Sequence, residues 1–139
     1  MNTWTDVKDG IYEFDPVIYP MRLWVGKKVD FDKAEEQFDF LDENGDVVEN
    51  GKEQIRPKSS IIAHVTLVAH KESKWLGCLV NINKPKEVSF GAVAHEATHV
   101  TDWLREQFGV EGYSFLGGEA RAYFTQWTAD CIEIILKRK

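Results

Sequence analysis

The sequence lacks the features that mark membrane, secreted or nucleic-acid-binding proteins. No apolar run approaches the roughly 18 residues that a membrane-spanning helix needs. The first nine residues are polar and contain no apolar core of a signal peptide. The net charge is −6 and no basic stripe is visible, which argues against nucleic acid as a partner. These absences predict a cytoplasmic protein that binds neither membrane nor nucleic acid.

Cysteine is scarce, and repeats and low-complexity segments are absent. The only cysteines are Cys78 and Cys131, which have no Cys-x-x-Cys spacing. We interpret them as buried free thiols of a reducing compartment, with a disulfide between them as the alternative. At 139 residues and 43% hydrophobic composition, the chain is expected to form a single domain over residues 1–139.

What the sequence does contain is the pattern His-Glu-x-x-His at His95, Glu96 and His99. It falls within Glu87–Gln107, a segment with helical spacing of apolar residues and no proline. Residues four apart lie on one face of a helix, so the two imidazoles can point at one metal ion. The glutamate between them lies about 100° round the helix, within reach of a water bound to that ion.

A third metal ligand is predicted at Glu119, twenty residues after His99, on a second helix that follows a pair of glycines. Two histidines, one glutamate and a water complete the open tetrahedral site that catalytic zinc uses. The competing candidates for the third ligand are Glu111, His64 and His70. The sequence therefore predicts a Zn²⁺ site.

The chemistry expected of this site is the hydrolysis of peptide bonds in a peptide or protein substrate. Zinc activates a water, Glu96 acts as the general base, and the proton passes on to the leaving amine. A developing oxyanion needs a further donor. Tyr123 is the first candidate for that donor, followed by Arg121 and Tyr113.

Asp102 comes three residues after His99 and is the nearest local acceptor for the second ring N–H of a ligating histidine. The alternative for this carboxylate is an exposed position on the helix or an ion pair with Arg105.

The hydrophobic pattern predicts an α+β protein, with a small twisted mixed or antiparallel sheet beside the His-Glu-x-x-His helix and a C-terminal backing helix. The stretch 60–70 has the pattern of a central strand covered on both faces. The other expected elements are an irregular lead-in over residues 1–10, a strand at Met21–Val25, a short helix beginning at Asp30 or Asp32, a strand at Trp75–Ile82, and a last helix from Gly118 or Glu119 to about Lys137.

At these residues the chain resembles the zincin metallopeptidases, and within them the gluzincins, over roughly residues 75–135. That group pairs His-Glu-x-x-His on one helix with a glutamate ligand on a following helix, and the spacing from His99 to Glu119 is similar to that of thermolysin-like enzymes. The resemblance implies a zinc peptidase. It also implies that Trp75–Ile82 is the sheet edge along which a peptide lies, with Ile61–His70 as its inner neighbour.

The chain departs from the thermolysin-like pattern in two ways. Gly118 and Tyr123 stand where those enzymes have an asparagine and an aspartate, and the chain ends near Lys139 without their large C-terminal subdomain. The closer comparison is therefore with minimal single-domain forms, including His-Glu-x-x-His proteins of bacteria and their phages. The alternatives are a catalytically silent zinc-binding module with a regulatory or phage-assembly role, or an interaction domain without metal.

Overall fold

The computed structural model describes residues 4–108 and 115–138, without the side chains of residues 115–117. Along the chain the elements are β1 Trp4–Lys8, β2 Ile11–Phe14, β3 Arg22–Lys27, α1 Phe31–Gln37, β4 Phe38–Phe40, α2 Gly51–Ile55, β5 Ala63–His70, β6 Leu76–Ile82, α3 Phe90–Phe108 and α4 Phe115–Leu136, with a 3₁₀ turn at Pro85–Glu87 before α3.

The six strands form one mixed sheet in the order β1-β2-β3-β6-β5-β4. β3 and β6 run parallel, and every other neighbouring pair is antiparallel. The α+β prediction is confirmed. The prediction of an irregular lead-in is wrong, because Trp4–Lys8 pairs with β2. Asp9 and Gly10, with φ of 56° and 76°, make the tight turn between these strands, as consecutive positive φ angles do in two-residue hairpins.

The short helix predicted to begin at Asp30 or Asp32 is α1, and Asp30 is its N-cap. The side chain of Asp30 accepts from the backbone N–H of Asp32 at 3.0 Å and of Lys33 at 3.4 Å. These bonds satisfy two of the N–H groups that the first turn of a helix leaves unpaired. The capping aspartate in the sequence is therefore sufficient to predict where α1 begins.

The sheet is covered on both faces. On one face α3 lies over β5 and α4 lies over β3, and on the other α1 packs with the sheet residues Trp24 and Leu79. Buried side chains from the sheet and the two long helices form the larger core: Phe14, Met21, Leu23, Val25, Cys78, Val80, Ile82, Val93, Val100, Trp103, Leu104, Phe124, Cys131, Ile132 and Ile135. In the described part of the chain, no helix combines the length and the apolarity that crossing a membrane requires.

The two cysteines, Cys78 and Cys131, are buried and are not joined by a disulfide, as predicted. Both belong to the larger core. Burial raises the pKa of the Cys78 thiol far above its ordinary value, because a thiolate would lose its hydration there. This cysteine therefore behaves as a small apolar side chain.

β5 and β6 occupy the opposite positions to those predicted, in which Trp75–Ile82 forms the sheet edge and Ile61–His70 lies inside it. β6 lies inside the sheet between β3 and β5, and its residues from Gly77 to Ile82 are buried. β5 lies outside it, beside the short edge strand β4. The sequence pattern of β5 is apolar enough for a central strand, but strand order depends on the parallel pairing of β3 with β6, which joins segments far apart in the chain.

Half of β5 forms an open edge. β4 pairs only with the end of β5, from Val68 to His70, and beyond it the N–H of Leu41 donates to the carbonyl O of Leu67. Within the described residues this ladder goes no further. Because backbone groups alternate in direction along a strand, the N–H and C=O groups of Ala63 and Val65 face the same way as those of Leu67. No strand of the described residues pairs with them on this side, so they can pair with another extended segment.

We predict that Gly77→Ala destabilises the protein by about 2 kcal/mol or more, because overpacking a close backbone contact forces the strands apart. Gly77 of β6 pairs with Arg22 of β3, and an added Cβ would collide with the Arg22 carbonyl. The measurement is the free energy of unfolding by chemical denaturation. In the control Gly118→Ala, the Cβ meets nothing within 4 Å, so equal destabilisation by both substitutions would contradict the prediction.

Candidate metal and active site

The N-terminus of α3, the helix that carries both histidines, is capped by Ser89. The Ser89 hydroxyl accepts from the N–H of Ala92 at 3.1 Å, which satisfies one of the free N–H groups at the start of the helix. Along α3 the residues Val93, Ala97, Val100 and Leu104 are buried. Their three- and four-residue spacing keeps one side of the helix against the sheet. His95 and His99 lie on another side and are exposed.

The two imidazoles converge on one point. The Nε2 atoms of His95 and His99 are 3.1 Å apart, and their ring centroids are 4.7 Å apart with an angle of 79° between the planes. Two nitrogens bound to one tetrahedral zinc at their usual bond lengths would be about 3.3 Å apart. The same separation also suits an N–H···N hydrogen bond between neutral rings. The donor pair therefore fits a metal ion with little rearrangement.

Glu96 completes the cluster. One carboxylate oxygen and one ring nitrogen from each of His95 and His99 lie within 4.8 Å of one another. The Glu96 side chain is only 7% exposed. Its burial raises the pKa of this carboxyl, and the two neighbouring imidazoles act in the opposite direction. A carboxylate whose pKa is moved towards neutrality is suited to accepting and returning a proton.

These three side chains face a cavity of about 660 Å³ between α3 and the open half of β5. The helix wall is polar and the opposite wall is largely apolar, which is the usual composition of a ligand site. The cavity is lined by Pro57, Ile61, Ala63, His64, Val65, Leu67, His95, Glu96, His99, Asp102, Trp103 and Glu106.

Glu119, the predicted third ligand, is not among the residues whose ligand atoms cluster with His95 and His99 in the described part of the chain. Nor does it line the cavity. α4 begins at Phe115 rather than at the predicted Gly118 or Glu119, so this glutamate already lies inside the helix. Its role as a ligand stays a prediction, and Glu111, the alternative in the loop, lies outside the described residues.

Of the three predicted oxyanion donors, the two that the structure describes, Tyr123 and Arg121, do not line the cavity with the histidines. Tyr123 is 68% exposed and borders a separate apolar cavity of about 310 Å³ with Tyr19 and Trp127. Arg121 lies in a groove between α3 and α4 that Thr98 and Asp102 also border. Tyr113 lies outside the described residues. The structure gives no geometric support to these roles, which stay predictions.

Asp102 lines the same cavity as the two histidines. Its Oδ1 is 4.0 Å from the Arg121 guanidinium, so its ion-pair partner is on α4 and is not Arg105, the partner in the alternative interpretation of the sequence. Among the described residues, neither His95 nor His99 makes a hydrogen bond to this carboxylate. Asp102 therefore borders the cavity and forms an ion pair with Arg121 of α4.

His64 and His70, the other candidate ligands, point away from α3. His64 borders the cavity, but its ring packs on Phe31 of α1 at 5.7 Å and its Nε2 is 3.1 Å from the Asn81 amide nitrogen. Burial lowers the pKa of His64, which keeps this ring neutral. His70 stacks on Trp24 at 6.0 Å. Both histidines therefore serve packing, and His95 and His99 are the pair available to a metal.

Two features of the site were not predicted from the sequence. The first is the open half of β5, which depends on how few residues β4 contributes to the sheet. The second is Glu106, which lines the cavity. Its spacing of eleven residues from His95 keeps both on one helix face, so extending the His-Glu-x-x-His periodicity further along α3 would have found it.

Comparisons of the chain with protein-family models, with curated proteins and with solved structures found no match. The functional assignment therefore depends on the chemistry of the site itself.

We predict that the protein binds one equivalent of a divalent metal ion, and that His95→Ala or His99→Ala weakens this binding on the order of 100-fold, since each removes a ligand. The measurement is a zinc titration by calorimetry with protein first stripped by a chelator. His64→Ala is the matched control, because that ring lies against Phe31. Equal weakening by the control, or no binding by the parent, would contradict the assignment.

Proposed function

We propose that this protein is a zinc-dependent peptidase, with His95 and His99 as metal ligands and Glu96 as the general base. The observation that carries the proposal is the convergence of the two Nε2 atoms at 3.1 Å beside a buried carboxylate in one cavity. The predicted third ligand is Glu119. Metal peptidases need this set of donors together with an open position for water and substrate.

A bound zinc ion would supply a Lewis acid that polarises the scissile carbonyl and makes a water molecule more acidic. Glu96 would accept the proton of that water and deliver it to the departing amine. A raised pKa suits both transfers, because the group must first bind and then release a proton near neutral pH. The buried position of Glu96 also holds its carboxylate beside the two imidazoles.

The substrate we propose is an extended peptide that pairs with the open half of β5. Ala63 and Val65 border the cavity with His95 and Glu96, and their backbone groups on this side are not used by β4. A peptide added to a sheet edge gains backbone hydrogen bonds whatever its sequence, while pockets for alternate side chains give specificity. This places the reactive groups next to a strand that can hold the peptide backbone.

The alternative is a catalytically silent zinc-binding module, in which Glu96 is itself a metal ligand. The observation that favours it is that the His95, Glu96 and His99 donor atoms already form a three-ligand cluster without Glu119. In that arrangement the carboxylate would be bound to the metal and could not act as a base. The two functions differ in what removal of the Glu96 charge does to metal affinity.

We predict that Glu96→Gln loses peptide cleavage by about 100-fold or more while it retains zinc, since removing a general base costs at least this factor. Cleavage is measured by mass spectrometry on a mixed peptide library, and zinc by metal analysis of the same sample. Glu43→Gln removes an exposed charge in a distant turn and should leave cleavage unchanged. If Glu96→Gln cleaves peptides at the parent's rate, the peptidase proposal is wrong. If this variant loses zinc, the result favours the catalytically silent zinc-binding module.

We also predict that Val65→Pro raises KM about fivefold with little change in kcat, since one peptide–strand hydrogen bond contributes about 1 kcal/mol. Proline removes an N–H on the open side of β5 and leaves the ladder with β6 in place. A complementary measurement uses the unaltered protein and peptides that are N-methylated at one amide at a time. If neither Val65→Pro nor any methylated amide weakens binding, the peptide does not pair with β5.

A further inference from the structure

The cavity-lining face of α3 continues beyond the two histidines. His95, His99, Asp102 and Glu106 are spaced by four, three and four residues, so they lie on one face of the helix, and all four line the cavity. Glu106 follows His99 by seven residues, which is about 10 Å along the helix axis. The cavity therefore extends along α3 past the two histidines to Asp102 and Glu106.

Helix stability does not explain why Glu106 is present. Asp102 and Glu106 are like charges four residues apart, a pairing that destabilises a helix. Glu106 also lies in the last turn of α3, where the helix dipole disfavours a negative charge. The stability of α3 thus disfavours a glutamate at position 106. Residues that local stability disfavours are more frequent at functional sites than elsewhere.

Among the residues that the structure describes, no positive charge pairs with Glu106. Asp102 has Arg121 at 4.0 Å, but Glu106 has no ion pair within the described residues, and no lysine or arginine among them lines the cavity. The sequence from residue 109 to residue 117 contains no lysine or arginine either. Glu106 is exposed, and the wall of the cavity opposite it, with Val65 and Leu67, is apolar.

A second observation points to a ligand in the same cavity. Glu96 is 7% exposed and lines the cavity, yet within the described chain it makes neither a hydrogen bond nor an ion pair. A largely buried glutamate that has no protein partner in the described chain and borders a large cavity is suited to meet water, an ion or a polar group of a ligand there.

We propose that this cavity selects peptides with a lysine or arginine side chain, which Glu106 binds about three residues from the scissile bond, since 10 Å corresponds to about three residues of extended chain. The aliphatic stem of the basic side chain lies on the apolar wall, and its charged end reaches the carboxylate. The inference rests on the proposed peptidase function, because the scissile bond is placed at His95 and His99.

The test is peptide binding to the zinc-loaded Glu96→Gln variant, measured by fluorescence anisotropy. The probes are short alanine-rich peptides in which a single lysine is moved along the chain, each matched to the same peptide with norleucine. We expect the best lysine peptide to bind about fivefold more tightly than its norleucine match, with the advantage reduced by salt. Adding Glu106→Gln should abolish the difference, and Glu106→Lys should favour peptides with glutamate at that position.

Glu43→Gln in the same background is the control, since it removes one charge outside the cavity and should leave the lysine preference intact. The thermal midpoint of Glu106→Gln should be unchanged or slightly raised, because a repulsive pair is removed. Equal binding of lysine and norleucine peptides, a preference that survives Glu106→Gln, or no binding of any probe would each overturn the inference.

Cleavage by the parent protein separates this inference from the peptidase function. If the parent cleaves lysine and norleucine peptides with equal kcat/KM, the peptidase function stands and the selection by Glu106 is wrong. If the lysine peptides bind selectively and the parent cleaves none of them, the cavity selects basic side chains but the protein is not a peptidase.

Discussion

The packing of α3 against the sheet is the interaction on which the rest of the site depends. Val93, Ala97, Val100 and Leu104 are buried on one side of the helix. Their burial sets the rotation of α3 about its axis, and a rotation of one residue position would expose apolar surface to water. With that rotation set, His95 and its partner four residues later must point into the cavity over β5. The core therefore orients the two histidines that are the candidate metal ligands.

The same packing places Glu96 between two environments. It belongs to the part of α3 that turns towards the sheet, so it is buried, yet it still reaches the two imidazoles. Burial raises its pKa because the charged form loses hydration. The position of this residue between core and cavity is consistent with the proposed role of general base, because it combines proximity to the histidines with a raised pKa.

The short edge strand β4 is the second constraint. It covers only the last residues of β5, so no described strand pairs with the remaining backbone groups on that side of β5, beside the cavity. Unpaired strand edges are usually shortened or covered, because they invite pairing with other chains. Here the uncovered part faces the polar side of α3, where the histidines and the carboxylates of Asp102 and Glu106 lie.

Much of the local structure could be predicted from the sequence, because it depends on residues close together in the chain. The N-cap at Asp30, the strand at β3 and the extent of α3 follow from capping chemistry and apolar spacing, and they were predicted. Strand β1 was missed, since its residues are largely exposed and gain their order from pairing with β2. The predicted start of α4, at Gly118 or Glu119, is too late. The glycines at 117 and 118 are typical of a loop, but the helix continues through them from Phe115.

The sequence by itself determined which side chains share the exposed face of α3, since the period of a helix brings His95 and His99 together whatever surrounds them. It also determined the α+β class, through the alternation of apolar patterns. Only the tertiary structure decided that β5 rather than β6 lies towards the sheet edge, that His64 faces away from the metal pair, and that Asp102 meets Arg121. These outcomes depend on contacts between distant parts of the chain, and no local periodicity encodes which strand pairs with which.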